Sequence, residues 1–195
     1  MKKLTQSKFL FMTACAVAAL SFTSTTQAQT VPMTADVTVL NTLTLTPVTQ
    51  LNFGTVAAAG DPALQATMTV NTDGTFATAP AGVALIESVD ATALSAAQIT
   101  VADGADGATI NITIDNVVDP VNKGEFFALD SFVTNYNSIG DAGQVIATPF
   151  QVTFDNAFGG GTNVLDIGAT ISTTVGVGAY TDNAYAGTYD VIFSY

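Results

Sequence analysis

The sequence predicts an all-β protein, a sandwich or barrel of antiparallel strands. Three observations predict it. Apolar residues recur at every second position in segment after segment. Clusters of Gly, Asp and Asn separate those segments. Stretches rich in Leu, Glu and Lys, which favour helix, are nearly absent.

The chain opens with "MKKLTQSKFLFMTACAVAALSFTSTTQAQT". Lys2, Lys3 and Lys8 make a basic start, residues 9–22 are apolar and uncharged, and Thr26 and Ala28 precede a plausible cut. This is the three-part pattern of a secretory signal, with an apolar run too short to span a bilayer well. Cleavage is expected after Ala28, giving a mature chain of 167 residues, the size of one domain. Cys15 after "FMTA" is a loose match to a lipobox, but the six residues between it and Lys8 leave little apolar core, so a cleaved signal is the expectation. The mature chain then has no thiol, and burial and strand pairing must hold it together.

The strands follow in order. "ADVTVLNTLTL" sets Ala35, Val37, Val39, Leu43 and Leu45 on one face. "ALQATMTV" gives Leu64, Ala66, Met68 and Val70, and "ATINITIDNV" gives Ile110, Ile112, Ile114 and Val118. "PFQVTFDN" gives Phe150, Val152 and Phe154, and "VLDIGATISTTVGV" gives Leu165, Ile167, Ala169, Ile171, Val175 and Val177. The last strand, "AGTYDVIFSY", places Tyr189, Val191, Phe193 and Tyr195 on one parity, with Ile192 an exception on the other. Turns fall at "AAAGDP", "NTDG", "ADGADG", "NSIGDAG" and "FGGGTN". One stretch, "DATALSAAQI", is Ala- and Leu-rich enough to expect a helical turn. No linker or fixed-period repeat divides the chain.

Composition then narrows function. Without its signal the chain has Lys123 as its one cation against sixteen carboxylates, a charge of −15. Such a surface repels phosphate backbones and anionic membranes, so no nucleic-acid partner is expected. The acids are scattered singly, as in a solvated coat. The mature chain also lacks His, Cys and Arg. This removes the usual general base, thiol nucleophiles and common zinc ligands, and no enzyme activity, cofactor or small-molecule substrate is expected. A carboxylate pair acting on a glycoside is the remaining chemistry, in a chain without Trp for a sugar platform. Asp103 and Asp106 in "VADGADG" raise a calcium question, but their spacing does not match an EF-hand loop and a turn is expected. "FGGGTN" precedes a strand and offers no phosphate cradle. Lys123 in "PVNKGEF" is expected to be exposed rather than joined in an isopeptide bond.

The two termini are the informative features. A long alternating arm follows the signal, and an alternating aromatic strand ends the chain. Either both close an ordinary sandwich, or the sandwich is one strand short and the arm completes a neighbour by β-strand addition. The arm followed by "LNFGTV", the strand "GATISTTV" and the ending "GAYTDNAYAGTYDVIFSY" together resemble bacterial pilin-like domains. These are the fimbrial subunits of the chaperone–usher type and a related family of secreted domains. The resemblance implies an immunoglobulin-like β-sandwich lacking one strand, with an extended N-terminal donor arm. It divides the chain into a signal (1–28), a donor extension (29–45) and a sandwich (46–195).

On that resemblance Val37, Val39, Leu43 and Leu45 are donor side chains, and Tyr189, Val191, Phe193 and Tyr195 line the last strand beside the groove. The implied partners are neighbouring copies or related subunits, a periplasmic chaperone and an outer-membrane usher. The implied role is a structural subunit of a surface fimbria supporting adhesion or biofilm, in the shaft rather than at the tip, exported to the periplasm and then the cell surface. Many pilins carry a disulfide that this chain cannot form. Two other readings remain: a stand-alone secreted adhesion or matrix domain, and a small outer-membrane β-barrel, although the latter is poorly served by five Tyr and no Trp.

Overall fold

The computed structural model describes residues 42–195. The expected signal, Cys15 and the donor residues Val37 and Val39 lie outside them. Thirteen strands and one 3-10 turn (Phe158–Gly160) make up the regular structure, and no α-helix occurs among the described residues. The strands form separate antiparallel sheets and do not close into a barrel. The fold is an all-β sandwich.

The larger sheet is built on β12 (Asn163–Ser172). One side of β12 pairs with β9 (Ala128–Tyr136). The other pairs first with β6 (Ala97–Ala102) and then with β3 (Thr67–Val70). Beyond β6 lies β1 (Thr44–Thr49), beyond β3 lies β4 (Phe76–Ala79), and the short β10 (Ala142–Gly143) borders β9. The facing sheet is built on β7 (Thr109–Asn122), flanked by β11 (Phe150–Thr153) on one side and by β13 (Ala186–Ser194) on the other. The two-residue β8 (Glu125–Phe126) forms a hairpin with the end of β7. A small sheet of β2 (Thr55–Ala59) and β5 (Leu85–Asp90) completes the domain.

Periodicity located the core because burial, not propensity, selects strand faces. Ala66, Met68 and Val70, Ile110, Ile112 and Ile114, and Leu165, Ile167, Ala169 and Ile171 are all buried and, with Phe132 and Phe154, fill the space between the sheets. Leu64 and Val175, which lie outside β3 and β12, depart from the expectation and are exposed, and so is Val118. Opposite β13, β7 carries two extra residues: Asp115 and Val118 face Asp190 and Thr188, and Val121 faces Ala186. Asn116, with φ of 51°, takes up the first of these bulges, and Val117 packs on the core in place of Val118. A bulge reverses the parity that alternation assumes.

The expected helical turn in "DATALSAAQI" is a turn at Thr92–Ala93 between the strands β5 and β6. The amide of Thr92 bonds the Asp90 carboxylate there, a local bond that competes with helix. The expected boundary between residues 45 and 46 falls inside β1, whose Leu45 lies opposite Val101. Leu43 already packs against the core. The folded domain therefore starts by Leu43, and Leu43 and Leu45 belong to it.

Candidate functional site: the free edge of the last strand

One flank of the sandwich is closed. The amide of Gln144 bonds the carbonyl of Phe132 on β9, and the amide of Ala147 bonds the carbonyl of Ile114 on β7, so segment 144–147 crosses from one sheet to the other. The opposite flank ends at β13, whose only strand partner among the described residues is β7.

Strand geometry fixes what that edge presents. The Ile114 carbonyl points toward Ala147, and the Ala108 carbonyl accepts the amide of Phe154 at the end of β11. Even-numbered residues at this end of β7 therefore turn their main-chain groups away from β13, because both groups of one strand residue face the same neighbour. Val191 and Phe193 lie opposite Ile114 and Ile112. They form wide pairs, and their own N–H and C=O groups face the open edge. Ile192, opposite Thr113, faces β7 instead.

The same residues present apolar side chains inward. Tyr189, Val191 and Phe193 pack against the core yet are only half-buried, unlike the fully buried isoleucines of β7. The Tyr189 ring lies 5.1 Å from Phe132. Ile192 is 45 % exposed on the outer face, as its parity requires. Tyr195, expected beside the groove, lies past the end of β13, whose pairing with β7 ends at Ser194 opposite Asn111, and is 46 % exposed.

Most other edges are blunted. Pro47 and a bulge interrupt β1, while β4 and β11 are four residues long and bordered by Pro80 and Pro149. From Val191 to Ser194 β13 has neither charge nor proline, the devices that usually prevent strand pairing. Among the described residues, a half-open apolar flank and a row of main-chain groups without a strand partner thus coincide at Val191 and Phe193.

Residues 43–195 match DUF4402, a domain of unknown function. The chain belongs to the DUF4402 family. No curated protein and no solved structure matches it. The DUF4402 match starts at Leu43, which already packs against the core, and runs to Tyr195.

The entry to β13 in this DUF4402 domain is fastened by side chains that the sequence did not single out. The Glu125 carboxylate accepts hydrogen bonds from the Thr181 amide (2.7 Å), the Thr181 hydroxyl (2.9 Å) and the Tyr185 hydroxyl (2.6 Å). The Tyr185 bond, then those from Thr181, hold this carboxyl below its ordinary range. Phe127 stacks on Tyr180 at 4.4 Å and meets the edge of Tyr185 at 5.2 Å. The Tyr180 and Thr174 hydroxyls both donate to the Phe126 carbonyl.

The acidic loops have protein partners. Asp103 accepts from Thr44, and Asp106 accepts from the Asn156 amide. No group of three His, Cys, Asp or Glu suited to a metal occurs among the described residues. Lys123 is exposed at the tip of the β7–β8 hairpin.

Burial raises the hydroxyl pKa of Tyr136 and Tyr189 to about 12, and burial together with the Glu125 carboxylate raises Tyr185 to about 12. A raised folded-state pKa gives stability that is complete below the unfolded value near 10 and is lost as pH rises through 12. Melting temperature is expected to fall steadily between about pH 10 and 12, together with the rise of tyrosinate absorbance. A flat profile across that window would contradict the packing of these rings.

Proposed function

We propose that this chain is a non-enzymatic structural subunit of a bacterial surface fibre, in which the N-terminal arm of one copy completes the free β13 edge of the next. The observation that carries this reading is the coincidence, at Val191 and Phe193, of half-buried apolar side chains and main-chain groups without a strand partner among the described residues. Strand addition uses both at once: ladder bonds supply affinity and alternate side chains fill pockets. The sandwich is then one strand short of an immunoglobulin-like fold, and export through the periplasm places the fibre at the cell surface.

Because Leu43 and Leu45 are part of the domain, the donor is the alternating segment before them, with Val37 and Val39 as its large apolar residues. Two buried valines contribute roughly 3–6 kcal/mol before ordering costs, and each ladder bond adds about 1 kcal/mol. A bare apolar edge in transit needs a temporary cover, which is the part a periplasmic chaperone and usher would play.

The test compares the chain from Gln29 with one starting at Thr42, by electron microscopy and by electrophoresis without boiling. Heat-labile ladders are expected from the first and only monomer from the second. Monomer from both returns the molecule to a stand-alone secreted adhesion or matrix domain.

A further inference from the structure

We infer that Glu125 is a positioning residue for the docking edge: its carboxylate fixes the entry of β13 and so the register in which Val191 and Phe193 face a partner. The inference rests on the strand-addition reading.

The β13 ladder cannot set this register firmly by itself. Among the described residues it has one partner strand, and β7 bulges twice opposite the first half of β13. The connection from β12, residues 173–185, is long enough to let the strand slide or peel. A slip of one residue would turn Val191 and Phe193 outward and Ile192 inward, destroying the apolar flank that a donor must meet.

Two sets of contacts oppose that slip, and both rest on β8 and the residue after it. The loop is held at Thr174 and Tyr180 by the Phe126 carbonyl, and at Thr181 and Tyr185 by the Glu125 carboxylate. Tyr185 immediately precedes β13, so its ring against Phe127 and its hydroxyl on Glu125 fix the strand's first residue in space. Gly187 then follows the bulge closely: a Cβ there would lie 2.5 Å from the Val118 carbonyl oxygen and 2.8 Å from the Pro120 nitrogen. Of these contacts, the carboxylate alone gathers three donors at one point, and charge-assisted bonds are the stronger kind.

The test uses the full chain from Gln29 and its Glu125→Gln variant, which keeps the shape and loses the charge. Amide exchange read by mass spectrometry is expected to accelerate about tenfold or more in Ala186–Ser194, with Asn163–Ser172 unchanged. Ladder growth is expected to slow about tenfold. Tyr185→Phe, which removes one bond and keeps the ring, is expected to give a smaller effect in the same segment. The double variant is expected to be no worse than Glu125→Gln alone, since both changes break one clamp.

Exchange that stays unchanged in β13, or rises equally throughout the domain, overturns the positioning role while wild-type ladders leave strand addition standing. A wild-type chain without ladders overturns strand addition itself, and the positioning role with it, even where Glu125→Gln still loosens β13.

Discussion

Val191→Pro is expected to leave the sandwich folded and to abolish strand addition, whereas Ile192→Pro is expected to destabilise the domain severely. The two positions are adjacent and share a strand, so propensity and location cannot separate them. Main-chain direction does. The Val191 amide faces the free edge, so proline there removes no internal ladder bond, and proline is tolerated on an edge strand in that orientation. Val191 packs in part against the core, so the expected loss is that of its partial burial, about 1–2 kcal/mol.

The Ile192 amide faces Thr113 of β7. Proline there deletes a ladder bond and drives its ring into the neighbouring strand, for a cost of roughly 3 kcal/mol or more by analogy with helix interiors. Urea unfolding measures the first effect and ladder formation the second. Equal destabilisation by the two prolines would show that the Val191 and Ile192 amides do not face opposite sides of β13. Normal ladders from a folded Val191→Pro chain would remove this edge from the assembly.

The faces of the central strands were legible in the sequence because a strand buried on one side selects apolar residues at every second position. Ile110, Ile112 and Ile114 in β7 and Leu165 to Ile171 in β12 follow that rule without interruption. The rule fails where a bulge adds a residue, as at Asn116, which carried Val118 to the surface. It also says nothing of which edge is covered. The same alternation ran through Val37, Val39, Leu43 and Leu45, yet of the two described residues among them β1 contains only Leu45, which on that edge strand is 41 % exposed.

The C-terminal strand was legible as a strand and its inward residues as Tyr189, Val191 and Phe193, but not its free main-chain groups, which depend on what lies across β7. The Glu125 clamp had no local signal at all. Its partners stand 56 and 60 residues away, and a lone Glu beside a turn is ordinarily a solvated charge. Buried Asn163 is similar: it bonds Asn137 and the Asp155 backbone and joins three segments that no short pattern relates.

Gly168→Ala is expected to be among the most damaging small substitutions in the domain, at about 3 kcal/mol. Gly168 stands where β12 changes partners: Ile167 is the last residue opposite β6 and Ala169 the first opposite β3. The turn that follows β3, closed by bonds between Asn71 and Thr75 and between Gly74 and Asn71, presses on β12 there. A Cβ on Gly168 would lie 2.2 Å from the Val70 carbonyl oxygen and about 3 Å from the Asn71 backbone. Those are main-chain atoms within a paired strand and a tight turn, so they cannot swing aside as a side chain can.

Overpacking of this kind costs about 1–3 kcal/mol, and the rigidity of the fork places Gly168 at the upper end. For a domain of this size the corresponding drop in melting temperature is about 6–12 °C. Gly74→Ala is the control. It has nothing within 4 Å but a φ of 78°, so its cost is backbone strain of about 1 kcal/mol. If Gly168→Ala costs no more than Gly74→Ala, β3 and β6 can part without loss, and the fork does not hold the larger sheet in shape. If it costs three times as much, the partner change on β12 is the rigid centre of that sheet, the face against which β7 and β13 must pack for the free edge to keep its direction.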